Sequence, residues 1–309
     1  MIISILKAMQ GAVGQGALWG IMALGIYITY SILDIGDLTV DGSFALGGCT
    51  CGILLAGGGF DPIAATLIAS LAGVAAGAVT GILHTQCRIP AILAGILTQL
   101  GLYSVNLRIL GKSNQPLLKV ETIFNGIVDA TGLEKAWVSI LVGAVVLIIL
   151  IAVLYWFFGT EMGSAIRATG SNENMARSQG MNTNFYKILG LAVSNGLVAL
   201  SGALISQHQG YADVKQGIGA IVVGLASIII GEVLFGKKKN FAVKLTAVVL
   251  GSCIYRIIVS VVLQLGLNTD DMKLFTAALV AVALSVPAFL EKRRQAASYS
   301  ENGEGGKTC

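Results

Sequence analysis

The residues able to do chemistry are few, and most of them interrupt apolar runs. Asp34, Asp37 and Asp41 stand close together, with Thr39 and Ser43 beside them. An aspartate at the centre of a membrane helix costs about 3 kcal/mol on insertion scales, so three together do not face lipid. Gly36 and Gly42 allow irregular backbone there, which is tolerated where it lines a cavity or is buried in protein. Asp37, Thr39, Asp41 and Ser43 are therefore candidates to line or shape a polar path. The other reading is an interfacial loop whose carboxylates meet water. Gln99, Asn106, Asn195 and Arg256 lie inside further apolar segments, where a polar side chain either faces a passage or bonds a neighbouring helix. Catalysis would need a convergent acid, base or nucleophile set, and these candidates are scattered. The pair Cys49 and Cys51 lacks a nearby histidine, so no metal site is expected. The stretch from Gly231 to Lys238 approaches the phosphate loop G-x-x-x-x-G-K-[ST], but Lys238 replaces the hydroxyl residue that would hold magnesium. That stretch also closes an apolar run instead of following a strand. No ATP site is expected in this chain.

The elements that carry these residues follow from composition. The chain is 55% hydrophobic and only 12% charged, too few polar atoms to cover a water-facing surface. Glycine is abundant at 40 residues, as suits membrane helices that approach closely. Apolar runs long enough to span a bilayer place nine helices at about 10–32, 42–58, 62–84, 89–110, 136–158, 184–206, 216–236, 241–267 and 272–290. The second is short and glycine-rich. The expected fold is all-α, a polytopic bundle over 1–290 with a disordered basic and polar tail at 291–309. The first run reads as a retained span, not a cleaved signal peptide. Basic residues cluster on the side that holds Arg88, Arg167, Arg177, Lys187, Lys237–Lys239, Lys244 and Lys292. That side is expected to be cytoplasmic, with the C-terminus inside and the N-terminus outside. Gly73, Gly77 and Gly81 form a ridge for close helix packing, as do Gly16 and Gly20, either within one subunit or along a dimer seam. Arg256 needs a partner at membrane depth, and Glu232 is the candidate carboxylate. Gln207, His208, Tyr211 and Asp213 are expected in an outer loop, open to contact with another protein.

One connection is patterned where a linker needs no pattern. From Gly163 to Gly180 the chain reads as a short helix capped by Ser171 or Asn172, with Glu173 at its positive end and Gly180 closing it in a left-handed turn. Met175, Ala176 and Gln179 are placed on one face. Geometry alone leaves two readings: a rod that docks in a groove on a soluble partner, or a helix resting on lipid headgroups.

The order Gly163, Arg167-Ala168, Gly170, Asn172, Ala176-Arg177, Gly180 resembles the cytoplasmic coupling motif of the ribose and branched-chain amino-acid ABC permease family. The stretches Gly217-Ile218-Gly219, Gly224-Leu225-Ala226 and Gly231-Glu232 are similar to the family too. Within it, Asp37–Ser43, Asn114-Gln115-Pro116-Leu117 and Gln209–Val214 look most like the group of tryptophan/tyrosine uptake permeases. The resemblance implies a permease subunit of an ATP-driven importer in the bacterial inner membrane. It implies that Gly163, Arg167, Gly170, Asn172, Glu173, Met175, Ala176, Arg177 and Gly180 enter a separate ATPase subunit, which binds the ATP and Mg. It further implies an extracytoplasmic substrate-binding lipoprotein, a second permease copy in a homodimer, and a small amino-acid-like substrate. Nucleic acid is not an expected partner. An ion-coupled secondary transporter is the rival class; it would not need the pattern at 163–180. An ion channel would show a filter segment, and none is evident.

Overall fold

The computed structural model describes residues 2–118, 120–235, 240–265, 271, 274–282 and 285. The first helix, α1 (Ile2–Tyr27), runs into a π-helical turn at Ile28–Ile32. Then come α2 (Thr39–Gly58), α3 (Pro62–Thr85) and α4 (Ala91–Leu110). A short strand β1 (Asn114–Pro116) and helix α5 (Ile123–Thr131) lead into α6 (Lys135–Gly159). Two short helices, α7 (Glu161–Ser171) and α8 (Glu173–Ser178), precede α9 (Thr183–Gln209) and strand β2 (Tyr211–Asp213). The last two are α10 (Ala220–Phe235) and α11 (Phe241–Gln264).

Among the described residues seven helices are long and apolar enough to cross a membrane. Eight of the nine expected segments are therefore helices, the eighth being α10, whose 16 residues rise only ~24 Å. Of the ninth expected span, 272–290, residues 274–282 and 285 are described and helical, and the tail at 291–309 and Lys237–Lys239 lie wholly outside the described residues. The connection between α6 and α9, expected to hold one short helix started at Ser171 or Asn172, holds two, because residues 161–171 are helical as well. Thr160 caps α7 by accepting from the Gly163 N–H, so the chain turns straight from α6 into a second helix.

α9 is the hub, its middle buried on all sides. The Gly73, Gly77 and Gly81 ridge packs on it within the chain, against Ala199 and Asn195, Leu191 and Ile188 respectively. A Cβ at Gly77 would overlap the Leu191 carbonyl, so only glycine permits this approach. Gly16 and Gly20 likewise lie against Cys253 and Val249 of α11. Both glycine ridges thus serve packing inside one chain. Serine hydroxyls donate between helices along α1: Ser201 to the Leu18 carbonyl, Ser194 to that of Gly25 and Ser252 to that of Gly16. Apolar side chains face outward on α3 (Ile63, Leu67, Leu71) and α6 (Ile148, Ile149, Trp156), a surface suited to lipid.

Candidate functional site

The chain is broken between α1 and α2, and the break gathers the polar residues as it runs inward from Gly36, which lies against Ile92 in the first turn of α4. After the π-helical turn, Asp34 takes a left-handed conformation (φ 55°) and residues 33–38 run irregularly back into the protein. Asp37 is 3% exposed. Its carboxylate accepts from the Thr39 N–H at 2.9 Å and from Asn195 Nδ2 at 2.7 Å. Asn195 lies ~18 Å along α9, near mid-depth of a ~30 Å core. The Thr39 hydroxyl pairs with Thr80 at 2.8 Å, and Asn106 Nδ2 donates to the Gly42 carbonyl at 3.3 Å. Gln99 is half-buried beside Gly42, and the Ser43 hydroxyl is buried without a partner.

Asp41 closes a second discontinuity. α10 begins not at the bundle's edge but beside the first turn of α2. The Asp41 carboxylate accepts from the N–H groups of Gly219 (2.9 Å) and Ile221 (3.0 Å). These are orphan donors of a helix start, and a carboxylate also suits its positive end. Gly217 is pressed so closely on the Asp41 carbonyl that a side chain would overlap it, and Gly219 adopts φ 86°. Gly52, further along α2, lies against Ala212. The segment from Ala212 to Gly217 thus descends beside α2 over the ~16 Å rise between Gly52 and Asp41. Irregular backbone at such depth survives only because protein donors and acceptors satisfy it.

α7 packs directly on this break, and α8 follows it. Gly170, at the end of α7, lies against the Ile32 carbonyl and Leu33, where a Cβ would collide with both. Gly163, at its start, is pressed on Phe157 and Phe158 in the same way. Arg167 donates to the Phe158 carbonyl, satisfying an acceptor at the end of α6, and sits over the Phe241 ring at 5.6 Å. Asn172 caps α8 through Met175 N–H at 3.0 Å, and Gly180 ends it at φ 81°. Ala176 is buried while Met175 is 45% exposed and Gln179 is open, so the expected shared face is split. Glu173 bridges Arg177 (2.7 Å) and Lys187 (2.8 Å), fastening α8 to α9.

At the opposite end β1 and β2 pair antiparallel, Gln115 facing Ala212, with Asn114 Nδ2 donating to Asp213 at 3.2 Å. This joins the two stretches, near 115 and near 211, that carry the narrower resemblance. Gln207 and His208 belong to the last turn of α9, not to a loop. Gln207 is 1% exposed and bonds Thr66 and the Ile123 N–H; His208 meets the Ser139 hydroxyl at 2.9 Å and the edge of Phe124. Tyr211 is exposed.

The family described as the permease component of the branched-chain amino acid transport system matches residues 8–284. The chain belongs to this permease family. A tyrosine transport system permease protein of Clostridioides difficile (strain R20291) is 44% identical over 271 residues, 88% of each chain. An uncharacterized protein of Rickettsia prowazekii (strain Madrid E) is 34% identical, over 85% of this chain and 92% of its own. The autoinducer 2 import system permease LsrC of Yersinia pseudotuberculosis (serotype O:3, strain YPIII) is 29% identical over 69% of this chain and 58% of its own. The solved structure of PsaBC from Streptococcus pneumoniae in complex with Fab has a TM-score of 0.49 at 16% identity, covering 92% of this chain and 95% of that one. The protein is the permease subunit of an ABC importer, a multi-pass protein of the inner membrane. ATPase and substrate-binding partners come with that family membership.

Two features of the permease were not legible beforehand. Arg256 does not pair with Glu232. Gly231 packs on Ala247 and Val248 of the antiparallel α11, which puts Glu232 ~13 Å of helix away from Arg256. The guanidinium instead lies over Trp19 at 4.0 Å from the ring centroid.

The second is the Glu173 clip. The Lys187 hydrogen bond, against a smaller opposing effect of partial burial and with the charges of Lys187 and Arg177, holds this carboxyl below its usual range. A lowered folded value means the clip's stabilisation is complete above the unfolded pKa of about 4.3 and is lost only as pH falls through the lower folded value. Tryptic cleavage after Arg177 in nanodisc-held permease should therefore be equally slow from pH 6 to 8, beyond the protease's own pH dependence. Glu173→Gln should raise it severalfold at each pH. A cleavage rate that climbs between pH 8 and 6 in the unsubstituted protein contradicts this.

Proposed function

We propose that the permease moves a small amino-acid-like substrate by alternating access, and that α7 and α8 form the lever an ATPase grips. The packing of Gly170 on Ile32 and Leu33 carries this reading, because it connects the lever, without an intervening element, to the break that leads inward to Asp37. In it the α7–α8 end is cytoplasmic, the C-terminus is inside and the N-terminus outside. Asp37, Thr39, Asp41, Ser43, Gln99, Asn106 and Asn195 shape the path as the two half-depth helix starts move. Two identical permease subunits enclose that path, and ATP with its Mg is held by the partner ATPase. A lipid-anchored capture protein delivers substrate at the β1–β2 end, where Tyr211 and Asp213 meet it and Gln207 and His208 brace the ribbon from beneath. The name of the Clostridioides difficile relative favours tyrosine or a similar aromatic amino acid.

In the reconstituted complex, Arg167→Ala should abolish stimulation of ATPase activity by the loaded capture protein. Arg167 ties α7 to both α6 and α11, so its loss leaves a lever with slack in it. Basal hydrolysis and membrane insertion should persist. Undiminished uptake in cells lacking every cognate ATPase would instead support an ion-coupled carrier.

A further inference from the structure

Arg256 is a charge for which neither the packing nor the lever has a use. It lies in α11, a 24-residue apolar helix, where an unpaired guanidinium is costly. Neither carboxylate–cation pair found among the described residues includes it. Its Nε is shielded from solvent and bonds nothing, although the residue as a whole keeps part of its surface open. Among the described residues its one specific side-chain contact is with Trp19, over whose ring the guanidinium carbon lies at 4.0 Å from the centroid.

That geometry matters because a guanidinium has two kinds of surface. Stacking occupies the planar face. The N–H edge stays available, and that edge makes the two-point fork that grips a carboxylate. A purely structural arginine at this depth would be expected to spend its edge on backbone carbonyls or a carboxylate. Trp19 is itself set by Phe44, whose ring lies 5.0 Å away and is fully buried. Phe44 stands on α2 one turn after Asp41, the residue that holds the start of α10. The guanidinium, without a carboxylate partner among the described residues, is thus attached through two aromatic rings to the helix that follows the break.

We propose that Arg256 receives the carboxylate of the transported amino acid, with Trp19 fixing the plane of the guanidinium. This rests on the importer reading and adds a recognition group to it. A carboxylate is the chemical class that matches a planar fork, whereas a sugar or a cation would leave the charge unmet.

The test uses the permease–ATPase complex in nanodiscs without capture protein. Binding of labelled L-tyrosine is competed by unlabelled L-tyrosine and by L-tyrosinamide, which keeps ring and amine but lacks the carboxylate. The unsubstituted complex should prefer the acid at least about 10-fold. Arg256→Gln should erase that preference, and Arg256→Lys, which keeps charge without the fork, should reduce it. Basal ATPase activity and thermal stability serve as controls. Should Arg256→Gln fail to assemble, Arg256→Lys decides, and an undiminished preference overturns the proposal. Equal competition by acid and amide in the unsubstituted complex overturns it too, as does the absence of any binding. In the last case, ATPase stimulation by a loaded capture protein would leave the importer reading standing.

Discussion

Gly170→Val will abolish ATP-driven uptake while the permease still inserts and folds. The added side chain must displace the Ile32 carbonyl and Leu33, which lie against the Gly170 Cα. Overpacking of this kind costs about 1–3 kcal/mol. The strain falls on the contact between lever and break, so it acts on the equilibrium between transport states more than on the bundle. A bias of about 3 kcal/mol shifts a two-state equilibrium roughly 100-fold. Uptake in proteoliposomes should fall by a factor of that order, with basal ATPase activity retained. Gly101→Ala on α4, where nothing approaches within 4 Å, should change neither quantity. Equal uptake by Gly170→Val and the unsubstituted permease would mean that the contact transmits nothing.

Asp41→Ala should be the most damaging single change at the break. It strips the acceptors from the Gly219 and Ile221 N–H groups, and each unmet buried donor costs about 1–3 kcal/mol. The start of α10 should come loose, seen as a lower thermal transition in detergent and a loss of uptake greater than about tenfold. Asp41→Asn keeps one acceptor oxygen and should fall between. Uptake and stability equal to the unsubstituted permease in Asp41→Ala would show that the carboxylate is dispensable.

Hydropathy located the spanning helices because each must carry about 20 apolar residues whatever its partners. The Asn172 cap and the Gly180 terminator were legible for a similar reason, since both act within four residues. α7 was missed although Thr160 followed by Glu161 is a helix-start signal, because the caps offered by Ser171 and Asn172 set the expected helix start later. What depended on distant pairing left no local trace. The ribbon is two three-residue strands about a hundred positions apart. Asp37 meets Asn195 and Arg256 meets Trp19 across still longer separations, so the break appeared only as a cluster of aspartates and the arginine only as an unpaired charge. A search among carboxylates could not find an aromatic partner.

The central claim is that α8 lies against an ATPase. It is tested most directly by placing p-benzoylphenylalanine at position 175, the exposed Met175 of that helix. After illumination of membranes holding the whole complex, a covalent permease–ATPase adduct is expected from position 175 and not from lipid-facing position 149 on α6. Adducts with lipid alone at position 175, with the ATPase present and active, would contradict the account.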